Sequence, residues 1–349
     1  MYRRNSKKIK VGNIYIGGDA PVTVQSMLNI PSTDIEGSVK QALALQQAGC
    51  QIIRAAVPDM AAVKLIEALK ENLIVPVVAD IHFDYKLALA SVDAGVDKIR
   101  INPGNIGSDD RVKAVADACK AKNIPIRIGV NSGSVEKNIL AKYGAPTAEA
   151  LVESGLYHAS LLEKFDFDDI VISIKSSDVK TMIDAYTLAS EKCNYPLHLG
   201  VTEAGTYNMA LVKSSIGIGS LLAKGIGDTI RVSMTDDPVK EVEAGYSILK
   251  ALGMNEGGVN IVACPTCGRT RIDLIGLANE VEARLKGCKK NIKVAVMGCA
   301  VNGPGEAREA DIGIAGGDGS ALIFAKGEII CKVPESEAID RLMEEIEKL

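Results

Sequence analysis

Over most of the chain, two patterns of hydrophobic and polar positions follow each other in turn. Short runs that are almost continuously apolar are typical of parallel strands covered by helices on both faces. The longer segments between them carry apolar residues at helical spacing, as at Ile35, Val39 and Leu43. After a short hairpin predicted over residues 11–16, we predict eight strands, at residues 22–25, 52–55, 75–79, 98–101, 126–130, 170–174, 197–201 and 229–233.

Helix boundary signals support this alternation. Residues that favour the N-cap position precede several helical segments, at Thr33, Asp59, Ser108, Thr147 and Asp178. Glycines stand where helices should end, at Gly49, Gly95 and Gly253. Eight strand–helix units in succession predict a (β/α)8 TIM barrel of the α/β class, over residues 1–254.

The pattern changes after residues 252–258, where a glycine-rich break is typical of a short linker between domains. Beyond it, residues 259–349 predict a smaller α+β domain. A strand leads into Cys264, a helix follows over residues 273–286, and a second strand at residues 292–296 leads towards Cys299. Two hairpin turns and a final amphipathic helix complete the domain.

Composition and charge limit the classes of function. The 349 residues are 47% hydrophobic and 24% charged, and the formal net charge is -4 with a pI near 5.6. An acidic chain has no general electrostatic attraction to nucleic acid or to an anionic membrane, so any anion site must be local. No secretory signal or 18-residue apolar stretch is present, so we expect a cytoplasmic protein.

Three cysteines predict a metal site in the second domain. Cys264 and Cys267 are separated by two residues, and Cys299 opens a Gly/Pro-rich loop that also carries Glu306. An iron–sulfur cluster, a structural zinc and a redox dithiol are all compatible with this pattern. Zinc is disfavoured because no second Cys-x-x-Cys follows and because the histidines, His82, His158 and His198, lie far upstream. We interpret the remaining cysteines as reduced bystanders: Cys50, Cys119, Cys193, Cys288 and Cys331.

Polar side chains follow the predicted barrel strands, where active sites of this architecture lie. They are Arg54, His82, Arg100, Asn102, Arg127, Asn131, Lys175, Glu203, Arg231 and Ser233. The cations among them repel one another unless an anion neutralises them, and guanidinium groups bind phosphate oxygens in a bidentate manner. This face therefore predicts a phosphate or diphosphate site.

Individual residues at this face have competing interpretations. His82 is suited either to phosphate donation or to capping a loop, whereas His198, inside a strand, is interpreted as structural. Glu203 is the one carboxylate we place at the mouth, with either an acid/base role or a structural ion pair. Gly217 and Gly219 form an incomplete dinucleotide motif that follows no strand, and we discard it.

Long motifs resemble one known family almost from end to end. They lie at residues 24–27, 54–58, 79–84, 99–105, 127–131, 173–177, 200–205, 264–269 and 298–306. The sequence resembles the hydroxymethylbutenyl diphosphate synthases, iron–sulfur enzymes of the non-mevalonate isoprenoid pathway, in their short bacterial form. No motif position departs from the family pattern.

The resemblance implies a two-electron reductive ring opening of 2-C-methylerythritol 2,4-cyclodiphosphate, with loss of water, to 4-hydroxy-3-methylbut-2-enyl diphosphate. It implies a [4Fe-4S] cluster on Cys264, Cys267, Cys299 and Glu306. It also implies a diphosphate site that comprises Arg54, His82, Arg100, Arg127, Lys175 and Ser233, with Arg231 and Asn302 nearby. Flavodoxin or ferredoxin would supply electrons.

Roles for two glutamates, and an assembly, complete these expectations. Glu203 and Glu306 are the catalytic candidates, and Glu306 is a harder, more exchangeable iron ligand than a thiolate, so a substrate oxygen can displace it. The short linker and the resemblance together indicate a head-to-tail homodimer, in which one chain's cluster domain covers the other chain's barrel. Two other hypotheses remain: a barrel lyase acting on a phosphate substrate with a structural zinc domain, and a non-catalytic iron–sulfur binding or sensor protein.

Overall fold

The computed structural model describes residues 2–254, 257–299 and 307–349. The chain divides into two compact units, Met1–Met254 and Asn255–Leu349, which are described separately below. None of the helices in the described part of the chain combines the length and apolarity needed to cross a membrane.

The first unit is built on a parallel sheet of eight strands. Its strands are β3 (Thr23–Met27), β4 (Ile52–Ala56), β5 (Val77–Asp80), β6 (Lys98–Ile101), β7 (Ile126–Asn131), β8 (Ile170–Lys175), β9 (His198–Leu199) and β10 (Thr229–Ile230). Hydrogen bonds connect them from β8 through β3 to β10 and β9. A parallel bridge between Ile172 and Leu197 completes the circle. The predicted (β/α)8 barrel is confirmed.

Ten helices of the described residues surround this sheet. They are α1 (Ile35–Gln47), α2 (Val63–Asn72), α3 (Tyr85–Asp93), α4 (Pro103–Ile106), α5 (Asp109–Ala121), α6 (Lys137–Tyr143), α7 (Ala148–Glu163), α8 (Val179–Lys192), α9 (Tyr207–Ala223) and α10 (Pro238–Ala251). The side chains of Thr147 and Asp178 cap α7 and α8 as expected. Asp34, not Thr33, caps α1, because its carboxylate accepts a hydrogen bond from the Gly37 amide at 2.9 Å.

An antiparallel hairpin closes the end of the barrel opposite its mouth. It consists of β1 (Ile9–Val11) and β2 (Ile14–Ile16). Its buried side chains pack against inward-facing residues of three barrel strands, Ile52, Val78 and Val171. The interior is therefore sealed with apolar side chains at this end.

The interior of the barrel is unusually polar. The strand register stacks inward-facing side chains in layers of four, which Val, Ile and Leu usually fill. Here the layer nearest the hairpin contains Ile52, Lys98, Val171 and Thr229, the next contains Gln25, Val78, Arg127 and His198, and the third contains Arg54, Arg100, Ser173 and Arg231. Positive charge therefore extends from the mouth into the barrel.

Two strands of the barrel are shorter than predicted. β9 and β10 contain only two residues each, whereas the apolar runs suggested that strands continue to Val201 and Ser233. The chain leaves the ladder close to Gly200 and Arg231, where both segments enter the polar mouth. Because the residues after β9 and β10 are not part of the sheet, their backbone follows the shape of the site instead.

The second unit is a mixed five-stranded sheet with helices on one face. Its strands are β11 (Asn260–Ala263), β12 (Lys293–Met297), β13 (Ile312–Gly316), β14 (Ser320–Ala325) and β15 (Glu328–Pro334). The first three are parallel and the last two antiparallel. Helices α11 (Leu274–Leu285) and α12 (Ala338–Glu347) share one buried cluster with β12, β13 and β14. The predicted α+β arrangement is confirmed.

Candidate active site

A cavity of about 150 Å³ lies at the carboxyl ends of the barrel strands. Side chains from seven different strands or the loops after them line it, which is how this architecture assembles active sites. All of the substrate-site candidates from the first unit are among them: Arg54, His82, Arg100, Arg127, Lys175, Arg231 and Ser233. Four arginines, one lysine and one histidine thus surround one small volume.

Asp80, at the end of β5, holds two of these cations. It is 1% exposed, and its carboxylate accepts a hydrogen bond from Arg54 Nη2 at 2.7 Å. Arg100 Nη1 and His82 Nε2 lie 3.4 and 3.3 Å from the same carboxylate. Although burial alone would raise the pKa of Asp80, the adjacent guanidinium of Arg54, with His82 and Arg100, holds it far below its usual range. Asp80 is therefore an anion at every physiological pH.

Glu241 holds a third cation from the opposite wall. This α10 residue is 3% exposed and binds Arg231 in a bidentate manner, with N–O distances of 3.1 and 3.2 Å. The Ser26 hydroxyl and the Met234 amide also donate to its carboxylate, at 2.9 and 3.2 Å. With its oxygens saturated, Glu241 orients Arg231 and leaves no oxygen aimed at the cavity.

The remaining two cations have no carboxylate partner. Arg127 is 1% exposed and donates from Nη1 to the neutral amide oxygen of Gln25 at 3.1 Å, while its Nε atom makes no hydrogen bond. The amino group of Lys175 forms neither a hydrogen bond nor an ion pair with any described residue. Two carboxylates against four guanidinium groups leave the mouth electropositive within an acidic protein, which favours a dianionic ligand.

Two glycines make room for the long cationic side chains. A Cβ atom at Gly129 would lie 2.2 Å from Arg100 Nε, and one at Gly200 would lie 3.1 Å from Lys175 Nζ and 2.8 Å from the Arg231 carbonyl oxygen. Arg100 also donates to the Gly129 carbonyl oxygen at 2.7 Å. Any larger residue at these positions would displace a cation from the cavity wall.

The mouth widens on the side of β6 and β7. A second cavity of about 490 Å³ shares His82, Arg100 and Asn131 with the first and extends over Asn102, Glu136 and Tyr157. The Asn102 side chain is buried here, and its amide oxygen accepts a hydrogen bond from the Gly129 amide at 3.0 Å. There is space beside the cation cluster for the uncharged part of a ligand.

Glu203 lies in the loop after β9 and has an unusual backbone. Its φ of 51° is in the left-handed region, which residues other than glycine rarely adopt, and its side chain is exposed. It does not line the small cavity, although its neighbour Thr202 does. Such backbone strain is common at functional sites, and the acid/base role of Glu203 stays a prediction.

His198 and Lys98 belong to the barrel interior. His198 is fully buried, and its Nδ1 atom lies 2.7 Å from the Thr229 hydroxyl, as suits a structural histidine. Lys98 is also fully buried, and its amino group has no hydrogen-bond partner among the described residues. Burial and the nearby Arg127 lower the pKa of Lys98 well below its usual value.

The cysteine candidates lie on two neighbouring loops of the second unit. Cys264 directly follows β11, and Cys299 follows β12, its parallel neighbour. The Gly298 amide donates to the Cys264 sulfur at 3.1 Å, and the Arg271 amide donates to the Gly298 carbonyl oxygen at 3.0 Å. Hydrogen bonds from Arg269 lower the pKa of the exposed Cys267 thiol, which favours the thiolate that metals bind.

Soft thiolate donors on adjacent strand ends suit iron or zinc. Within residues 2–254, 257–299 and 307–349, however, no three potential ligand side chains stand close enough together to hold a metal ion. Asn302 and Glu306, the other candidates from this unit, lie outside the described residues. All eight cysteines are free, and burial raises the pKa of Cys50 to about 11 and of Cys119 to about 12, so both thiols remain protonated.

Both units match models of one protein family. Residues 6–246 match the GcpE TIM-barrel domain, and residues 260–348 match the GcpE protein C-terminal domain. The chain belongs to the GcpE family. The resemblance identified from the sequence motifs is confirmed.

Curated GcpE relatives are similar over their full length. The 4-hydroxy-3-methylbut-2-en-1-yl diphosphate synthases (flavodoxin) of Clostridium perfringens and Clostridium acetobutylicum are 62% and 60% identical to this chain, each over 100% of both sequences. The corresponding synthase of Geobacter sulfurreducens is 54% identical over 99% of this chain and 98% of its own length.

Solved structures support the barrel alone. Dihydropteroate synthases from Stenotrophomonas maltophilia and Yersinia pestis give TM-scores of 0.52 and 0.50, at 15% and 14% identity. The matches cover 71% and 70% of this chain and 97% and 98% of those structures. The GcpE barrel therefore shares a fold with enzymes of very different sequence.

Sequence reasoning overlooked two carboxylates in this GcpE barrel. Glu203 is not the one carboxylate at the mouth, because Asp80 and Glu241 also lie there and bind three of the cations. Asp80 stands in the motif at residues 79–84, at a strand end, which was a usable signal. Glu241 lies on a helix outside the barrel, and no sequence pattern indicated that it reaches inward.

Proposed function

We propose that this chain catalyses the reductive ring opening and dehydration of 2-C-methyl-D-erythritol 2,4-cyclodiphosphate to 4-hydroxy-3-methylbut-2-enyl diphosphate. The observation that carries the proposal is the cavity lined by Arg54, Arg100, Arg127, Lys175 and Arg231 in a member of the GcpE family. The full-length relatives named as synthases of this product support the choice of substrate.

The diphosphate is bound by the cations at the mouth. Arg127 and Lys175 carry no competing carboxylate, so their charges are directed at the ligand, while Asp80 and Glu241 hold Arg54, Arg100 and Arg231 in fixed orientations. Preorganised donors of this kind stabilise charge without reorganising when it develops. Here, ring opening frees a terminal phosphate, so the negative charge at this site increases during the reaction.

The remaining polar groups bind the rest of the substrate. Ser233 and His82, which line the cavity, donate hydrogen bonds to phosphate or hydroxyl oxygens. Glu203 and Asn302 are the candidates for the carbon skeleton, and Glu203 handles the proton that accompanies loss of the hydroxyl group as water.

We further propose that Cys264, Cys267, Cys299 and Glu306 hold a [4Fe-4S] cluster. Three thiolates suit iron, and the lowered pKa of Cys267 together with the hydrogen bond from the Gly298 amide to Cys264 supports thiolate ligation. The cluster supplies electrons and, through an exchangeable carboxylate ligand, a Lewis-acid position.

The electron donor is flavodoxin, which the names of the curated relatives include. Ferredoxin is the alternative donor, and turnover with each purified protein distinguishes them. An electron carrier of this kind and a diphosphate substrate both support a cytoplasmic location for the enzyme.

The active assembly is a head-to-tail homodimer. In a barrel, the last helix runs back towards the face opposite the mouth, and only a short linker follows α10. A cluster domain from a second chain reaches the mouth without requiring the linker to cross the barrel. Mixing a Cys264→Ser chain with an Arg100→Met chain tests this, because only a heterodimer with shared sites regains activity.

Iron analysis and turnover test the main proposal. Protein purified without oxygen should be brown, contain iron and no zinc, and convert the cyclic diphosphate when reduced flavodoxin is supplied. Colourless, zinc-containing protein would instead support a barrel lyase with a structural metal. A brown protein that binds no cyclic diphosphate would support an iron–sulfur sensor.

A further inference from the structure

Lys175 differs from every other cation at the barrel mouth. It stands at the carboxyl end of β8, lines the small cavity, and its amino group lies against Gly200. This amino group has no hydrogen-bond or ion-pair partner in residues 2–254, 257–299 or 307–349. The neighbouring cations Arg54, Arg100 and Arg231 each contact a carboxylate.

The charged groups that face Lys175 are mostly cations. Arg231 after β10, Arg54 on β4 and Arg127 on β7 repel a positive charge at this position, whereas Glu241 on α10 attracts one. His198, from β9, also lies within electrostatic range. Glu241 is already saturated by Arg231, Ser26 and Met234, so it provides little compensation.

Arg127 and Lys175 both contact no carboxylate of the described residues, but only Lys175 can relieve this repulsion, by losing its proton. Arg127 also lacks a carboxylate, but a guanidinium group keeps its proton in proteins. A lysine amino group loses its proton readily when it is desolvated beside other positive charges. Consistent with this geometry, burial and the guanidiniums of Arg231, Arg54 and Arg127 lower the pKa of Lys175 well below its usual value.

We infer that Lys175 is uncharged in the ligand-free protein and takes up one proton from solvent when a diphosphate binds. The inference rests on the proposed function for the identity of the ligand. Each phosphorus of the cyclic diphosphate carries a single, strongly acidic oxygen, so the substrate does not titrate near neutral pH. Any proton taken up on binding therefore belongs to the protein.

The coupling between diphosphate binding and protonation of Lys175 predicts how affinity changes with pH. Because the ligand raises the pKa of Lys175, the contribution of its charge to binding is complete below the pKa of the free enzyme. It is lost as pH rises towards the pKa of the complex. Between the two values, affinity should fall about tenfold for each pH unit, and uptake should approach one proton.

Titration calorimetry measures the proton directly. The holoenzyme, without an electron donor and without oxygen, is titrated with cyclic diphosphate in buffers of different ionisation enthalpy, from about pH 6 to about pH 9. The slope of binding enthalpy against buffer enthalpy is the number of protons taken up. For the wild type, we expect this number to rise with pH towards one.

Matched variants assign the proton to its residue. Lys175→Arg keeps a permanent charge and should bind the substrate with no proton uptake and a flatter pH profile. Lys175→Met should bind more weakly, also without uptake. His82→Gln and Lys98→Met remove other titratable groups, and uptake should survive in both.

The outcomes separate this inference from the proposed function. Binding of the cyclic diphosphate with no proton uptake at any pH would overturn the role of Lys175 and leave the substrate assignment intact. Uptake that persists in Lys175→Arg, or disappears in Lys98→Met, would also overturn it. No binding to any of the proteins would refute the proposed function itself, and the inference with it.

Discussion

The two candidate sites of this chain are prepared to different degrees. At the barrel mouth, strands hold the ligand-binding cations around a cavity, and Asp80 and Glu241 fix three of them through ion pairs. On the loops of the second unit, Cys264 and Cys299 follow neighbouring parallel strands, but no three potential ligands among the described residues stand close enough together to hold a metal ion.

The physical cause of this difference is the strength of the interactions available. Like charges at the mouth repel one another, so the protein must hold them with buried carboxylates and rigid strands before any substrate arrives. Metal–thiolate bonds are strong enough to order loops on their own, and metal binding commonly completes the local fold. The barrel mouth is organised by the protein's own ion pairs, whereas the cysteine loops would be completed by the cluster that we propose.

The largest expected effect tests the cysteine loops. Cys264→Ser or Cys299→Ser should abolish the visible iron–sulfur absorption and all turnover, because each removes a thiolate ligand. The barrel should remain folded and still bind the cyclic diphosphate, as measured by calorimetry.

Cys331→Ser is the matched control and should stay coloured and active. Loss of colour in Cys331→Ser, with Glu306→Ala unaffected, would show that the fourth ligand is Cys331 and not Glu306.

The second-largest expected effect tests whether the cavity at the barrel mouth binds the diphosphate. Arg100→Met or Arg127→Met should raise the KM for the substrate and lower turnover. In each variant, kcat/KM should fall by about ten- to a hundredfold, because the substitution removes a charged hydrogen bond of about 1.5–3 kcal/mol. The cluster spectrum should not change. Wild-type kinetics in both variants would exclude this cavity as the diphosphate site.

Asp80→Asn tests whether the mouth is organised before substrate binds. Removing one partner of a buried ion pair costs about 3–5 kcal/mol, so thermal unfolding should occur at lower temperature than in the wild type. Added diphosphate should recover much of this loss, because it replaces the missing negative charge. Recovery by sodium chloride at equal ionic strength would instead indicate general screening.

The same variant has a predicted pH dependence. The folded-state pKa of Asp80 is depressed by Arg54, so the stability it contributes is present above its unfolded pKa of about 3.9 and is lost as pH falls below that value. Acid unfolding of the wild type should therefore be steeper than that of Asp80→Asn. Identical slopes would show that Asp80 is not coupled to folding.

The smallest effect concerns the barrel interior. Lys98→Met should leave stability within about 1 kcal/mol or raise it, since the replacement fills similar space and removes a buried amino group without a partner. Chemical denaturation measures the difference. A loss of several kcal/mol would mean that the amino group of Lys98 is paired in solution, for example by water.

Much of the mouth was predictable from the chain alone. Parallel strands covered by helices have a recognisable apolar pattern, and barrel topology brings all of their carboxyl ends to one face. Arg54, Arg100 and Lys175 therefore could be assigned to one site from their positions in sequence. Their partners could not, since Glu241 belongs to a helix and its inward direction depends on how α10 packs.

The layered interior illustrates the same limit. A strand pattern predicts that alternate residues face opposite sides, but a buried strand is apolar on both sides, so the pattern does not identify the inward-facing residues. The positions of Lys98, Arg127 and His198 inside the barrel became apparent only from the strand register.

Local periodicity and contiguous motifs were enough to predict the succession of strands and helices, the family, and which residue types carry the chemistry. Tertiary structure alone decided which cations are neutralised. Asp80 reaches Arg54 and Arg100 across neighbouring strands, Glu241 reaches Arg231 from α10, and Lys175 is left without a partner. Electrostatic energies depend on distances of a few ångströms between residues far apart in sequence, and only the folded chain sets those distances.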